Sequence, residues 1–295
     1  MRRLTIAGLF LLAAAGGAVW FPGGRAAAAP DIPAPVSVAG QAAVTGGPTS
    51  ALLYDFGFAA TRGTVSNAAP DGPAMRLTLY GSWWRVRGGV HFSGNTTGRR
   101  SIAYGQPGQG YTLDVPGTRA IGFGARIRYE KPATGTCFAD TPNITQIGRY
   151  GLPLAASQVK LQLSSCATSR TRVFAECRIS GTGSSSGTPP VVGTLPLVNG
   201  TGYDVSCVKS PDSSGHTVIT LRVVSLATRA ARVNRFTVPA VGLIRSSQAL
   251  STGNKYPLPA PAHNTDQFVG NMARAMYCTG PLSDVQHCLA TYLVP

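Results

Sequence analysis

Carboxylates are scarce in this 295-residue chain, with 11 Asp and Glu against 26 Lys and Arg. Glutamate occurs only as Glu130 and Glu176, and neither has another acid two residues away. A retaining glycoside hydrolase needs two carboxyl groups about 5 Å apart, and no stretch of this chain supplies them as alternating neighbours. Cysteine pairs of the C-x-x-C type are also missing, which removes the usual zinc frameworks. The four histidines, His91, His216, His263 and His287, are far apart, and no two have i, i+4 spacing. A formal G-x-S-x-G spans residues 183–187, but it lies inside "SGTGSSSGTPP" with no helical pattern after it. That motif makes a nucleophile only on a strained strand-to-helix turn, so Ser185 reads as part of a loop. Nucleic acid has only the positive charge in its favour, because the arginines are dispersed and no recognition motif accompanies them.

Beyond residue 28 no stretch is apolar enough to cross a bilayer. Ahead of it, "MRRLTIAGLFLLAAAGGAVW" places Arg2 and Arg3 before an apolar run, and Ala26, Ala27 and Ala28 follow. This order of charge, apolar core and small residues predicts a signal peptide over residues 1–28 and a secreted, extracellular product. A membrane anchor competes with that reading, against the glycines that interrupt the run. Export would place Cys137, Cys166, Cys177, Cys207, Cys278 and Cys288 in an oxidising compartment, where an even set normally forms disulfides. Six cysteines allow 15 pairings. Losing residues 1–28 removes Arg2, Arg3 and Arg25 and no acid, so the formal +15 falls to +12. The chain stays strongly basic, which favours anionic partners and also aids solubility.

Residues 29–50, "APDIPAPVSVAGQAAVTGGPTS", are small and almost uncharged, a flexible leader with nothing to fill a core. The folded domain is expected over residues 51–295. Its apolar signal has period two: Met75, Leu77 and Leu79 alternate with Arg76, Thr78 and Tyr80. Ile121, Phe123, Ala125, Ile127 and Tyr129 alternate with Gly122, Gly124, Arg126 and Arg128, and Ile219, Leu221 and Val223 repeat the pattern. These are half-buried strands. No window of helical length is read as amphipathic, and 36 Gly and 22 Pro punctuate the chain throughout. An all-β sandwich or barrel in one large domain follows.

Several pieces carry a family likeness by their order: "YGSWWRVRGGVHFSG", "TLDVPGTRAIGFGARIRYE", "NITQIGRYG" followed by "QVKLQL", "ECRISG", "YDVSCVKS", "LSTGNKY" and "DQFVGNMARAMY". Over roughly residues 52–278 the chain resembles laminin-G-like domains of the concanavalin A-like lectin and glucanase superfamily, in a secreted actinobacterial version. The resemblance implies a jelly roll of two antiparallel sheets, with the Gln-x-Gly-Arg stretch, Gln146 to Arg149, as a turn between neighbouring strands. It implies that Cys177 and Cys207 lie on adjacent strands and bridge. With proximity, it favours Cys137 with Cys166 and Cys278 with Cys288. Relatives with this fold include glycoside hydrolases, whose E-x-D-x-E carboxylates are not found here. Ala273 stands where the family usually has Asp, and Thr252 where it has a branched apolar residue. Relatives often hold calcium at a sheet edge, and the loop acids Asp140, Asp212 and Asp266 leave that ion open as a cofactor, though each stands alone.

Stacking is the better route to binding. Trp83 and Trp84 are adjacent and must point to opposite faces of a strand. If Trp84 joins Val86 in the core, Trp83 shares the other face with Arg85 and Arg87, and Arg126 and Arg128 face away from their own apolar row. An aromatic ring beside guanidinium groups suits an anionic glycan; a solvated face with arginines lying over a ring is the plain alternative. Arg149, Tyr150, Lys255 and Tyr256 are loop-borne candidates. The expectation is an exported, disulfide-bonded module that catalyses nothing. It would bind a glycan, or serve as a protein-adhesion or structural domain; a polysaccharide-degrading enzyme ranks behind both.

Overall fold

Side chains that alternate between apolar and polar along a strand put one row in a core and one outside it, and here two sheets bury their rows against each other. The computed structural model describes residues 50–57, 63–70, 72–93, 101–105, 113–130, 141–148, 157–164, 172–181, 189–246, 250–254 and 267–293. The first sheet runs β15 (Ala231–Val238), β14 (Thr217–Ser225), β13 (Gly202–Pro211), β8 (Ala120–Tyr129), β18 (Gly270–Gly280), β5 (Gly89–Phe92) and β4 (Trp83–Val86). β1 (Ser50–Asp55) pairs with the later part of β18. The second runs β12 (Val191–Val192), β11 (Ala175–Ser180), β10 (Gln158–Leu163), β9 (Asn143–Gly148), β17 (Ser251–Thr252), β6 (Ser101–Gly105), β3 (Arg76–Gly81) and β2 (Thr64–Ser66). β7 (Leu113–Val115) and β16 (Ile244–Ser246) form a small third sheet. Every pairing between the described strands is antiparallel, and a single parallel bridge joins Asn143 of β9 to Gln267. The fold is a jelly-roll β-sandwich.

The core between the large sheets is the set of rows that alternation predicts. Leu77 and Leu79 of β3, Ile121 to Tyr129 of β8 and Ile219 to Val223 of β14 all bury their apolar members. Phe123 stacks on Tyr277 at 5.8 Å, and Phe56 meets Phe92 edge-on at 6.2 Å. Thr252 accounts for its departure from an apolar residue: its hydroxyl lies 3.1 Å from that of Thr145, which meets the Tyr277 hydroxyl at 2.7 Å. This hydroxyl cluster ties the second sheet to the first. Ala273 is the extra residue of a bulge between Met272 and Arg274 opposite β8, and its carbonyl accepts from the Phe56 amide.

Cys177 and Cys207 bridge as expected, with Cα atoms 6.2 Å apart. Their placement corrects the reading of adjacent strands: Cys177 is on β11 of the second sheet and Cys207 on β13 of the first, so the bond crosses the core. Cys278 and Cys288 also bridge. Cys137 and Cys166 lie outside the described residues, as do the predicted signal peptide and the leader before Ser50.

A second correction is helical. α1 (Leu282–Tyr292) packs Val285, Leu289 and Leu293 on the outer face of the first sheet. Cys288 and Tyr292 are partly buried in the same cluster, so the helix does present an i, i+3, i+4, i+7 apolar face that the sequence reading did not recognise, a short one beginning at Val285. It suffices because the sheet offers a trough: a Cβ on Gly122 would sit 2.5 Å from Val285 Cγ1, and one on Gly124 2.5 Å from Leu293 Cδ1. The Cys278–Cys288 bond pins the helix to β18. Arg274 completes the seat, donating to the Tyr292 carbonyl at 2.6 Å and to Asp55 at 2.9 Å. No described helix is long and apolar enough to cross a membrane.

Candidate functional site

The outward rows of the second sheet differ from those of an ordinary solvated face. Val159, Leu161 and Leu163 of β10 fill the core, so Gln158, Lys160 and Gln162 point away from it. Register then assembles a polar row across the sheet. Arg178 of β11 is opposite Lys160, Lys160 is opposite Gln146 of β9, and Gln146 is opposite Ser251 of β17. Glu176, Gln162 and Asn143 form a second row, and Ser180 and Gln158 stand in a third. These side chains are polar yet almost all out of bulk water: Gln162 is 1% exposed, Gln146 and Glu176 3%, and Lys160 4%. Arg178 alone is exposed.

Local bonding fixes the geometry. The Gln162 amide donates to Glu176 at 2.8 Å, and that of Gln158 to Gln146 at 3.4 Å. β17 is only two residues long and is held in the sheet by Gln267. The Gln267 carbonyl oxygen accepts from the Ser101 amide and from Asn254 Nδ2, both at 2.9 Å, while its own amide donates to the Gly253 and Phe268 carbonyls. Asn143 reaches the Asn254 carbonyl at 2.8 Å. The row therefore lies on a braced floor, and among the described residues its charged side chains are Lys160, Arg178 and Glu176. Shielded from water, such charges and amide dipoles act more strongly than they would in solvent. Carboxamides both donate and accept, so the face suits a ligand rich in hydroxyls with an acidic group near the cations.

Among the described residues, those singled out from sequence do not gather into one site. Trp83 and Trp84 take the reverse of the expected sides: Trp83 packs against the core, opposite buried Phe92, and Trp84 is the exposed ring. Trp84 stacks on His91 at 3.9 Å, and His91 Nδ1 lies 2.7 Å from Asn271 Oδ1. Arg85 shares the side of Trp83 at the sheet edge, and Arg87 is in the turn after β4; both are exposed. Arg126 is committed to a two-pronged ion pair with Asp204, 2.8 Å on each prong, which raises its pKa further. Arg128 donates to the Gly200 carbonyl at 2.9 Å. Arg126 and Arg128 are on the outer face of the first sheet, not beside Trp83, because β4 presents its Trp83 side to the interior. Arg149, Tyr150, Lys255 and Tyr256 lie outside the described residues, with Asp140, Asp266 and Ser185. Asp212 spends its carboxylate on its own turn, accepting from Ser214 and His216; the Ser214 hydroxyl is the main cause of its lowered pKa. Gln146 is not in a turn, as the sequence suggested, but inside β9. Gln146, Lys160, Gln162, Glu176 and Arg178 escaped the sequence reading. Their one signal was that the polar members of "QVKLQL" are long amides and a lysine.

No protein-family profile and no curated protein matches the sequence. Solved structures do resemble the chain in fold. The basic winged bean lectin with Tn-antigen has a TM-score of 0.44 at 9% identity, over 79% of this chain and 99% of that one. The PL-14 alginate lyase from Aplysia kurodai gives 0.37 at 9%, over 77% and 88%. An endo-β-1,4-glucuronan lyase from the fungus Trichoderma reesei gives 0.34 at 12%, over 78% and 94%. The likeness is one of fold, a jelly-roll β-sandwich. This finding corrects the expectation that the chain catalyses nothing. Sandwiches of this kind include lyases as well as lectins, and the missing paired carboxylates bear only on glycoside hydrolysis.

Proposed function

We propose that this chain is an exported protein that handles acidic polysaccharide on the outer face of its second sheet. One observation carries the reading: Arg178, Lys160, Gln146 and Ser251 form a single row across four neighbouring strands, nearly all shielded from water. Strands are about 4.8 Å apart, so the row spans roughly 14 Å, the length of a short oligosaccharide. The amides would bond ring hydroxyls, and Lys160 with Arg178 would meet the acidic group. Two disulfides support an oxidising compartment, and the formal charge of +15 favours attraction of a polyanion.

The test is affinity measurement on the whole exported protein with alginate and glucuronan, and with a neutral glucan as control. The acidic polymers should bind and the neutral one should not, and added salt should weaken binding. Lys160→Met should lower affinity about tenfold or more, the worth of one charge-assisted bond, with an unchanged circular-dichroism spectrum. Equal binding of the neutral glucan, or an unaltered Lys160→Met, defeats the proposal. Following the same mixtures for new chain ends measures cleavage directly.

A further inference from the structure

The opposite side of the sandwich carries a cleft that the polysaccharide face does not use. α1 covers the outer face of the first sheet over β18, β8 and β13 and stops short of β14 and β15. The step between helix and uncovered strands is a cleft of about 250 Å³. Its wall and floor are mainly apolar, with Val208, Val233, Leu289 and Leu293 among the lining residues. Val233 is 52% exposed there, an apolar side chain left open beside an apolar wall.

Two guanidinium groups line the same cleft. Arg222 of β14 is opposite Val233 of β15, so Arg235, two residues along, is its diagonal neighbour. Diagonal neighbours on one sheet face are about 7 to 8 Å apart, within joint reach of long side chains. No carboxylate is among the described residues that line the cleft; Arg222 has an interaction of its own, and the exposed Arg235 is the cation that faces the trough. An apolar trough with a cation at one side asks for a ligand with an apolar body and an anionic end. The volume lies just under the roughly 300 Å³ at which small-ligand pockets begin, which suits a medium-length chain better than a membrane lipid.

We propose that this cleft binds an amphipathic carboxylate, its apolar body along Leu289, Leu293 and Val208 and its carboxylate at Arg235. The site is independent of the polysaccharide face, since the two are on different sheets.

Calorimetric titration of the whole protein with octanoate tests it, with octanol as the uncharged control. One saturable site should appear for octanoate, and octanol should bind about tenfold more weakly or worse. Arg235→Gln changes an exposed residue and should weaken octanoate about tenfold while leaving thermal unfolding unaltered. Ala290→Phe, which fills the cleft from the helix side, should abolish binding. The proposal is overturned if octanoate gives no saturable heat, if octanol binds equally well, or if either variant binds octanoate like the parent.

Discussion

Lys209 is fully buried on the inward row of β13, the row of Tyr203, Val205 and Cys207. Its ammonium donates to the Gly117 carbonyl and, at 2.8 Å, to that of Arg119, and no ion pair with a carboxylate accompanies it among the described residues. Burial without a counter-charge pushes its pKa down from 10.5 to about 8. Between those values the unfolded chain carries the proton and the folded chain does not. Unfolding then takes up a proton, so stability must rise with pH through this window. At 1.36 kcal/mol per unit the full effect is about 3 kcal/mol; below pH 8 both states hold the proton and the effect is absent. The window closes early, because burial raises the Tyr129 pKa to about 12 and also raises that of Tyr203. Each tyrosine stabilises the fold below pH 10 and loses that contribution as pH climbs towards its folded value. Urea unfolding followed by tryptophan fluorescence at pH 7, 8, 9 and 10 is the assay, with Lys209→Met as the comparison. The substitution leaves two carbonyls without their donor at every pH, a constant offset, so the slope and not the level is diagnostic. The parent should gain on the variant by about 1 kcal/mol per unit between pH 8 and 10. Parallel curves over that range would refute a buried ammonium that sheds its proton near pH 8.

Three further perturbations probe the frame. Replacing Cys177 and Cys207 together by Ala opens a bridge with a sequence separation of 30; the chain-entropy model gives a loss of about 3 to 4 kcal/mol, measurable by urea unfolding. Gly122→Ala drives a Cβ to 2.5 Å from Val285 and 2.8 Å from Leu289. It should cost roughly 1 to 3 kcal/mol and loosen α1, seen as faster proteolysis after residue 280. Gly253→Ala combines a backbone φ of +84° with a Cβ 2.9 Å from the Phe92 ring; a loss of about 2 kcal/mol or more in thermal unfolding is expected, and no change would argue against that turn.

Period-two alternation made the sandwich legible because it reports burial directly: a residue such as Phe123 or Leu221 must find a second sheet. It reports orientation only relatively. Trp83 and Trp84 had to point apart, but which one enters the core is set by the partner strand, where Phe92 and Val90 face inward opposite Trp83 and Arg85. The disulfide reading had the same limit, since pairing Cys177 with Cys207 was correct while the sheet that each belongs to was not. α1 was missed although Val285, Cys288, Leu289 and Tyr292 carry the helical recurrence: the pattern is short, Cys288 reads first as a disulfide partner, and the trough that Gly122 and Gly124 open for it is visible only in the fold.

The polar face was hidden for a different reason. In a strand with one buried row, the other row is taken to be solvated, and Gln158, Lys160 and Gln162 satisfy that rule by type. Their burial leaves no periodic trace in "QVKLQL" itself. Holding an amide or an ammonium out of water costs free energy unless each is bonded, and here bonds are made within the face, Gln162 donating to Glu176 and Gln158 to Gln146. A polar ligand proposed for that face would therefore have to replace bonds that the face already makes, so affinity measured on Lys160→Met, and not burial by itself, is what separates a binding row from a structural one.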